Sequence, residues 1–167
     1  TLQLAGWMLV LGHKAASKEE GIQKAQEALR SGKALELFLE NITLQGGNAQ
    51  QFVAECGKRR SPYTCQIKAE QDGFIAGIDA FKIGIAGVNL GVGRNKTTDA
   101  VCPDAGMILH KHAGDAVKKG DLIMDVYGKD AECLPSASDM IKTAIRYAAE
   151  KPQMRPLVFK EISAADL

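Results

Sequence analysis

The sequence predicts an α+β fold: a helical segment over residues 1–61, then from residue 62 an α+β module that closes with a helix and a strand. Three observations predict it. Apolar residues recur at helical spacing through the first sixty positions. After Ser61-Pro62 the pattern changes to alternation with β-branching. Paired Gly and Asp residues then punctuate the chain at short intervals.

In the helical segment, Leu2, Ala5 and Leu9 share one face, Leu4, Met8 and Leu11 an adjoining stripe, and Gly12 is placed to stop the helix. Residues 1–12 are mid-helix in character, with no initiator Met and no cap box, which reads as a piece of a longer protein. A helix apolar on nearly every side is expected to be buried on every side, and to self-associate where its neighbours are missing. Ser17-Lys18-Glu19-Glu20 forms a capping box, Ile22, Ala25 and Leu29 mark a buried face, and Gly32 suits a left-handed terminus. Leu35, Phe38 and Ile42 make a third helix that Gly46-Gly47 ends, and residues 49–56 a short fourth.

In the module, residues 63–70 read as a strand, Asp72-Gly73 as a hairpin turn, and Phe74, Ile75 and Ile78 as the paired strand. Asp79 caps a helix through Phe81, Ile83, Ile85 and Ala86, weakened by Gly84 and Gly87, with Gly91 and Gly93 tightening the turn that follows. Residues 107–112 and 122–126 read as strands, with Gly114-Asp115 and Gly120-Asp121 bracketing the stretch between them. Pro135, Ser136 and Asp139 start a last helix through Ala148, Pro152 and Pro156 stop it, and residues 157–162 alternate as a closing strand.

Bulk properties narrow the function. The 167 residues can bury roughly 68–70% of their unfolded surface, so neither disulfide nor metal is needed to fold them. A net charge of +1 from balanced charges gives no nucleic-acid footprint and no disordered tail. Cys56, Cys65, Cys102 and Cys133 form no CxxC pair and read as reduced thiols of a cytoplasmic protein. The apolar run of residues 7–11 is too short to span a membrane.

Three constellations invite chemistry. Gly91-Val92-Gly93-Arg94-Asn95-Lys96-Thr97 imitates a phosphate loop, yet Asn95 stands where such a loop needs Gly before the Lys, and Lys96 where a dinucleotide loop needs its third Gly; a structural turn is the better reading. His110 and His112 share one face of a predicted strand, with Cys102 and Cys133 at a distance, but zinc sites draw on closely spaced ligand pairs; the two read as solvent-facing. His13 sits near a helix end, where a cation suits the dipole. No GxSxG elbow is present, and Glu19, Glu20, Glu27, Glu36 and Glu40 fall on solvated helix faces.

Several stretches together resemble the C-terminal part of the thymidine and pyrimidine-nucleoside phosphorylase family. They are Leu2 to Leu9; Ala28 to Ala34; Phe38 to Asn41 with Gln45-Gly46-Gly47; Gly73-Phe74-Ile75; Asp79 to Ile85; Leu90-Gly91-Val92-Gly93-Arg94; Gly106-Met107; Lys119-Gly120-Asp121; and Ala144-Ile145. Their order and spacing hold over about residues 1–163. The resemblance implies that residues 1–61 are the last helices of the phosphorylase α/β domain. Residues 62–167 would be the C-terminal domain, a β-hammerhead (barrel-sandwich-like) with a helix. It also implies reversible phosphorolysis of pyrimidine nucleosides to free base and pentose 1-phosphate by a homodimer whose partners are phosphate and nucleoside. No cofactor, nucleic acid or membrane is expected. The family's phosphate loop and base-recognising Arg, Ser and Lys lie upstream of the segment that Thr1 matches. No catalytic, cofactor-binding or metal residue is therefore carried over, and this chain is expected to brace the phosphate-binding domain and shape its closure.

Residues 114–121 also resemble half of a biotinyl or lipoyl carrier domain, which keeps a free-standing binding or carrier module as the alternative. Lys118 and Lys119 lack a carrier's flanking motif and sit within the turn, and the leader from Leu2 to Cys56 has no use in a carrier.

Overall fold

Side-chain caps and left-handed residues set the limits of four helices in the first sixty residues. The computed structural model describes residues 1–162, and its two compact units part between Lys58 and Arg59. Helix α1 (Leu2–Leu11) has no side-chain cap at Thr1. It ends where expected, but Gly12 keeps a φ of −83° and His13 takes the left-handed turn at +55°. Lys14 N–H then closes onto the Leu9 carbonyl at 2.8 Å. His13 thus serves as the residue that reverses the chain, a conformation histidine tolerates better than most side chains.

At the start of helix α2 (Lys18–Arg30) Ser17 Oγ accepts from Glu20 N–H at 3.2 Å as expected, while the Glu20 carboxylate accepts from Ala16 N–H at 2.7 Å, one residue before the cap. Gly32, at φ +79°, ends α2 and opens α3 (Lys33–Leu44). Gly46, at +81°, ends α3, and Asn48 Oδ1 caps α4 (Ala49–Glu55) through Gln51 N–H at 2.9 Å. Phe38 and Phe52 meet edge to face at 5.4 Å and tie α3 to α4. The expected buried face of α2 is only half realised. Ile22 and Ala25 are half-buried, Leu29 is exposed, and only Gly6 and Gly21 are fully buried in this unit.

The second unit is built from two three-stranded antiparallel sheets and two helices. Its elements are β1 (Thr64–Lys68), β2 (Gly73–Ile78), α5 (Ala80–Leu90), β3 (Gly106–Leu109), β4 (Ala116–Val117), β5 (Leu122–Tyr127), α6 (Cys133–Ala144) and β6 (Ile145–Ala148). One sheet has the order β1-β5-β3 and the other β4-β2-β6. Ile67, Ile75, Leu90, Ile123, Val126 and Ile141 are fully buried at its centre, one from almost every long element. Asp79 caps α5 by accepting from Phe81 and Lys82 N–H at 3.0 and 3.2 Å, and Gly91, at φ +97°, ends it.

Three expectations are corrected here. Asp72-Gly73 does not join a hairpin: β1 pairs with β5 and β2 with β4 and β6. Gly73, at φ +139°, is needed for close approach, because a Cβ there would lie 2.5 Å from the Ala148 carbonyl oxygen. The last helix ends at Ala144, not Ala148, since Ile145–Ala148 pairs with the open edge of β2 in the register Ile78↔Ile145 and Phe74↔Ala148. Residues 157–162 form no strand: β6 has already taken that edge, and Leu157 is 94% exposed. Alternation alone makes no strand without a ladder to join. Residues 163–167, the end of the expected module, lie outside the described residues.

Candidate functional site

The Gly-rich loop after α5 is closed on itself. Gly91 and Val92 N–H donate to the Val88 and Gly87 carbonyls at 3.0 and 2.9 Å, and Cys102 N–H donates to the Gly91 carbonyl at 2.9 Å. Gly91 has no room for a side chain: a Cβ there would lie 3.0 Å from Lys129 Cβ. Beyond it, the Asn95 and Lys96 amides both donate to Asp99 Oδ2, at 3.0 and 2.9 Å. Two converging amides beside Arg94 and Lys96 have the chemistry of an anion nest. Here the anion is the chain's own carboxylate, so the loop holds a turn, in keeping with its sequence.

His110 and His112 part company. The strand ends at Leu109, so the two imidazoles do not share a strand face as expected. His110 N–H still reaches the Ile123 carbonyl at 2.8 Å, while its Nε2 lies 2.7 Å from Asp125 Oδ2. Gln66 Nε2 donates to the other oxygen of Asp125 at 3.1 Å, so one carboxylate links neighbours of β1, β5 and β3. The hydrogen bond from His110, then that from Gln66, holds the Asp125 carboxyl below the usual aspartate range. His112 lies in the next turn, its N–H donating to Asp115 Oδ2 at 2.7 Å. Among the described residues no three His, Cys, Asp or Glu side chains converge as metal ligands.

The lysine-bearing turn is welded at four points. Lys118 N–H donates to Asp121 Oδ2 at 3.0 Å, and Lys119 N–H to Asp72 Oδ1 at 2.7 Å. Gly120, at φ +94°, donates to the Ala69 carbonyl at 2.8 Å, and Ala69 N–H returns a bond to Asp121 at 2.8 Å. Asp72, read in the sequence as a hairpin residue, thus fixes this second turn instead.

The cysteines are free: Cys65 Sγ contacts Ser138 Oγ, Cys133 Sγ donates to the Asp130 carbonyl, both at 3.1 Å, and Cys56 is exposed. Two features had no clear sequence signal. Arg59 forms an ion pair with Asp104 at 2.7 Å, and the buried Ser61 hydroxyl donates to the Gly128 carbonyl at 2.6 Å. A third, an apolar groove of about 410 Å³ along α1 and α2, was foreshadowed by the all-round apolar first helix. Among the described residues no helix is long and apolar enough to cross a membrane.

Comparison with known proteins places this geometry. Residues 74–148 match the family model of the pyrimidine nucleoside phosphorylase C-terminal domain. A pyrimidine-nucleoside phosphorylase of Geobacillus stearothermophilus is 30% identical over 162 residues, 97% of this chain and 37% of the relative. That of Bacillus subtilis is 32% identical over 149 residues, 89% of this chain and 34% of the relative. A thymidine phosphorylase of Mycoplasma genitalium is 34% identical over 131 residues, 78% of this chain and 30% of the relative. The chain therefore spans about a third of the length of these relatives.

Proposed function

We propose that the chain is the C-terminal part of a pyrimidine-nucleoside phosphorylase, from the match of residues 74–148 to the pyrimidine nucleoside phosphorylase C-terminal domain. In this reading residues 1–61 are the last helices of the α/β domain and residues 62–167 the C-terminal domain. The whole enzyme transfers the pentosyl group of a pyrimidine nucleoside to inorganic phosphate. The glycosidic C–N bond breaks, a C–O bond to phosphate forms, and free base and pentose 1-phosphate leave a homodimer.

The observation that carries the reading is an alignment running over 97% of this chain, in which the family match falls on the two-sheet unit. The catalytic groups belong to the two thirds of the phosphorylase that this chain does not span. Its own nearest approach to an oxyanion site, the Asn95 and Lys96 amides, is filled by Asp99. Phosphate needs several converging donors and cations, and half of such a site supplies almost none of the orientation on which catalysis rests. The role left to the segment is mechanical: it braces the phosphate-binding domain and shapes its closure. The welded turns at residues 112–121 and the closed loop at 91–102 favour that role.

The test is an assay of the purified chain with uridine or thymidine and inorganic phosphate, following release of the free base. No turnover is expected. Turnover that a substitution within this chain abolishes would place catalytic groups here and overturn the mechanical role.

A further inference from the structure

After β6 the second unit continues as residues 149–162, which form no helix or strand and of which Pro152 alone is half-buried. One side chain of this stretch, Met154, lies back on the sheets. A Cβ on Gly114 would lie 3.0 Å from its Sδ and 3.4 Å from its Cγ, so the thioether occupies space that only a glycine leaves open. Gly114, at φ +91°, belongs to the turn from His112 to Asp115, which rests on the middle of β2. Its N–H donates to the Ile75 carbonyl at 2.8 Å, and Ile75 N–H donates to the Asp115 carbonyl at 3.0 Å. Two further amides are engaged within the turn, His112 with Asp115 Oδ2 at 2.7 Å and Asp115 with the His112 carbonyl at 3.1 Å. Met154 thus covers a closed piece of backbone with an apolar group and still stays 52% exposed.

We propose that Met154 is an oxidation site for hydroperoxides, and that its sulfoxide releases this stretch from the turn. The thioether sulfur attacks the outer oxygen of the peroxide: an S–O bond forms, the O–O bond breaks, and the proton passes to the departing oxygen. Sulfur is oxidised by two electrons, and the peroxide is reduced to an alcohol or, from hydrogen peroxide, to water. Exposure decides which methionines react. Of the five, Met124 is 2% exposed and Met107 and Met140 are half-buried, while Met8, in the other unit, is 72% exposed. The product carries a polar S=O group that needs a donor. The His112, Gly114 and Asp115 amides are already committed, so the oxygen turns to water and takes the side chain off Gly114. Enzymatic reduction of the sulfoxide reverses the step and restores the contact. The inference concerns this chain as it stands and does not depend on the phosphorylase reading.

The test uses the full chain carrying Met8→Leu, treated with hydrogen peroxide and mapped by peptide mass. Met154 is expected to gain one oxygen at least about tenfold faster than Met124. Amide exchange over residues 112–116 then rises by about threefold or more, and treatment with methionine sulfoxide reductases returns it to its starting rate. Met154→Leu keeps the apolar contact and makes that exchange indifferent to peroxide. Met154→Gln, polar like the sulfoxide, raises it with no oxidant present. Oxidation of Met154 no faster than that of Met124 overturns the proposal. So does stoichiometric sulfoxide at Met154 with the exchange of the turn unchanged, or a rise of the same size in Met154→Leu.

Discussion

Gly6 and Gly21 meet backbone to backbone where α1 crosses α2: a Cβ on Gly21 would overlap the Gly6 carbonyl oxygen, and one on Gly6 would lie 2.9 Å from the Lys18 carbonyl oxygen. These are the only fully buried residues of the helical unit, so its packing rests on the absence of two side chains. Gly21→Ala should therefore destabilise the unit despite a gain in helix propensity of about 1 kcal/mol. Overpacking of this kind costs about 1–3 kcal/mol, and rigid backbone on both sides puts the cost at the upper end. Urea unfolding followed by Trp7 fluorescence reads it; an unchanged or raised midpoint would contradict the close crossing.

Gly73 plays the matching part between strands. With φ at +139° and the Ala148 carbonyl 2.5 Å from any added Cβ, Gly73→Ala strains its own backbone and pushes β6 off β2. A loss of about 2 kcal/mol or more is expected, with faster amide exchange along the β2–β6 ladder. A substitution at Gly84, where an added Cβ meets nothing within 4 Å, is the control and should leave the same ladder intact.

How much of this was legible in the sequence depended on whether the deciding interaction was local. Ser17, Gly32 and Asp79 announced their roles because a cap is decided within four residues. The pairing of β1 with β5 and of β2 with β6 joins segments roughly sixty to seventy residues apart, and no local signal at Asp72-Gly73 reports it. Residues 145–148 carry a helical pattern, yet a free strand edge claimed them. Residues 157–162 carry a strand pattern, yet no edge remained. In the candidate sites, the flaw in the Gly91–Thr97 loop could be read directly. The partnership of His110 with Asp125 could not, because strand register sets it.

That partnership has a pH signature. Asp125 has a folded pKa below its usual value, so the stability it contributes is fully present above the unfolded pKa and is lost as pH falls through the folded one. The chain should lose stability below about pH 4 through this pair, by less than about 1 kcal/mol for so exposed a contact. Asp125→Asn should flatten that part of the profile, read as urea midpoints between neutral and acid pH. A slope that survives the substitution assigns it to other carboxylates.

Lys118 and Lys119 lie in a turn whose backbone is held from four sides, with Asp72 and Asp121 accepting their own amides. Neither should accept biotin or lipoate. Intact mass after co-expression with the two carrier ligases checks this; a stoichiometric increase that Lys118→Arg or Lys119→Arg removes would revive the carrier reading.

If this chain completes a phosphorylase without supplying its chemistry, a chimera with a relative should regain activity. This chain replaces the 37% of the Geobacillus stearothermophilus relative that it matches. Phosphorolysis of uridine and thymidine by the fusion is compared with that of the relative truncated at the same point. The truncated enzyme should be inactive and the folded fusion should regain turnover, which Asp99→Asn or His110→Ala should change by less than about threefold, as expected of groups making no transition-state contact. A folded, monodisperse fusion with no more activity than the truncated enzyme would rule out this role for the chain.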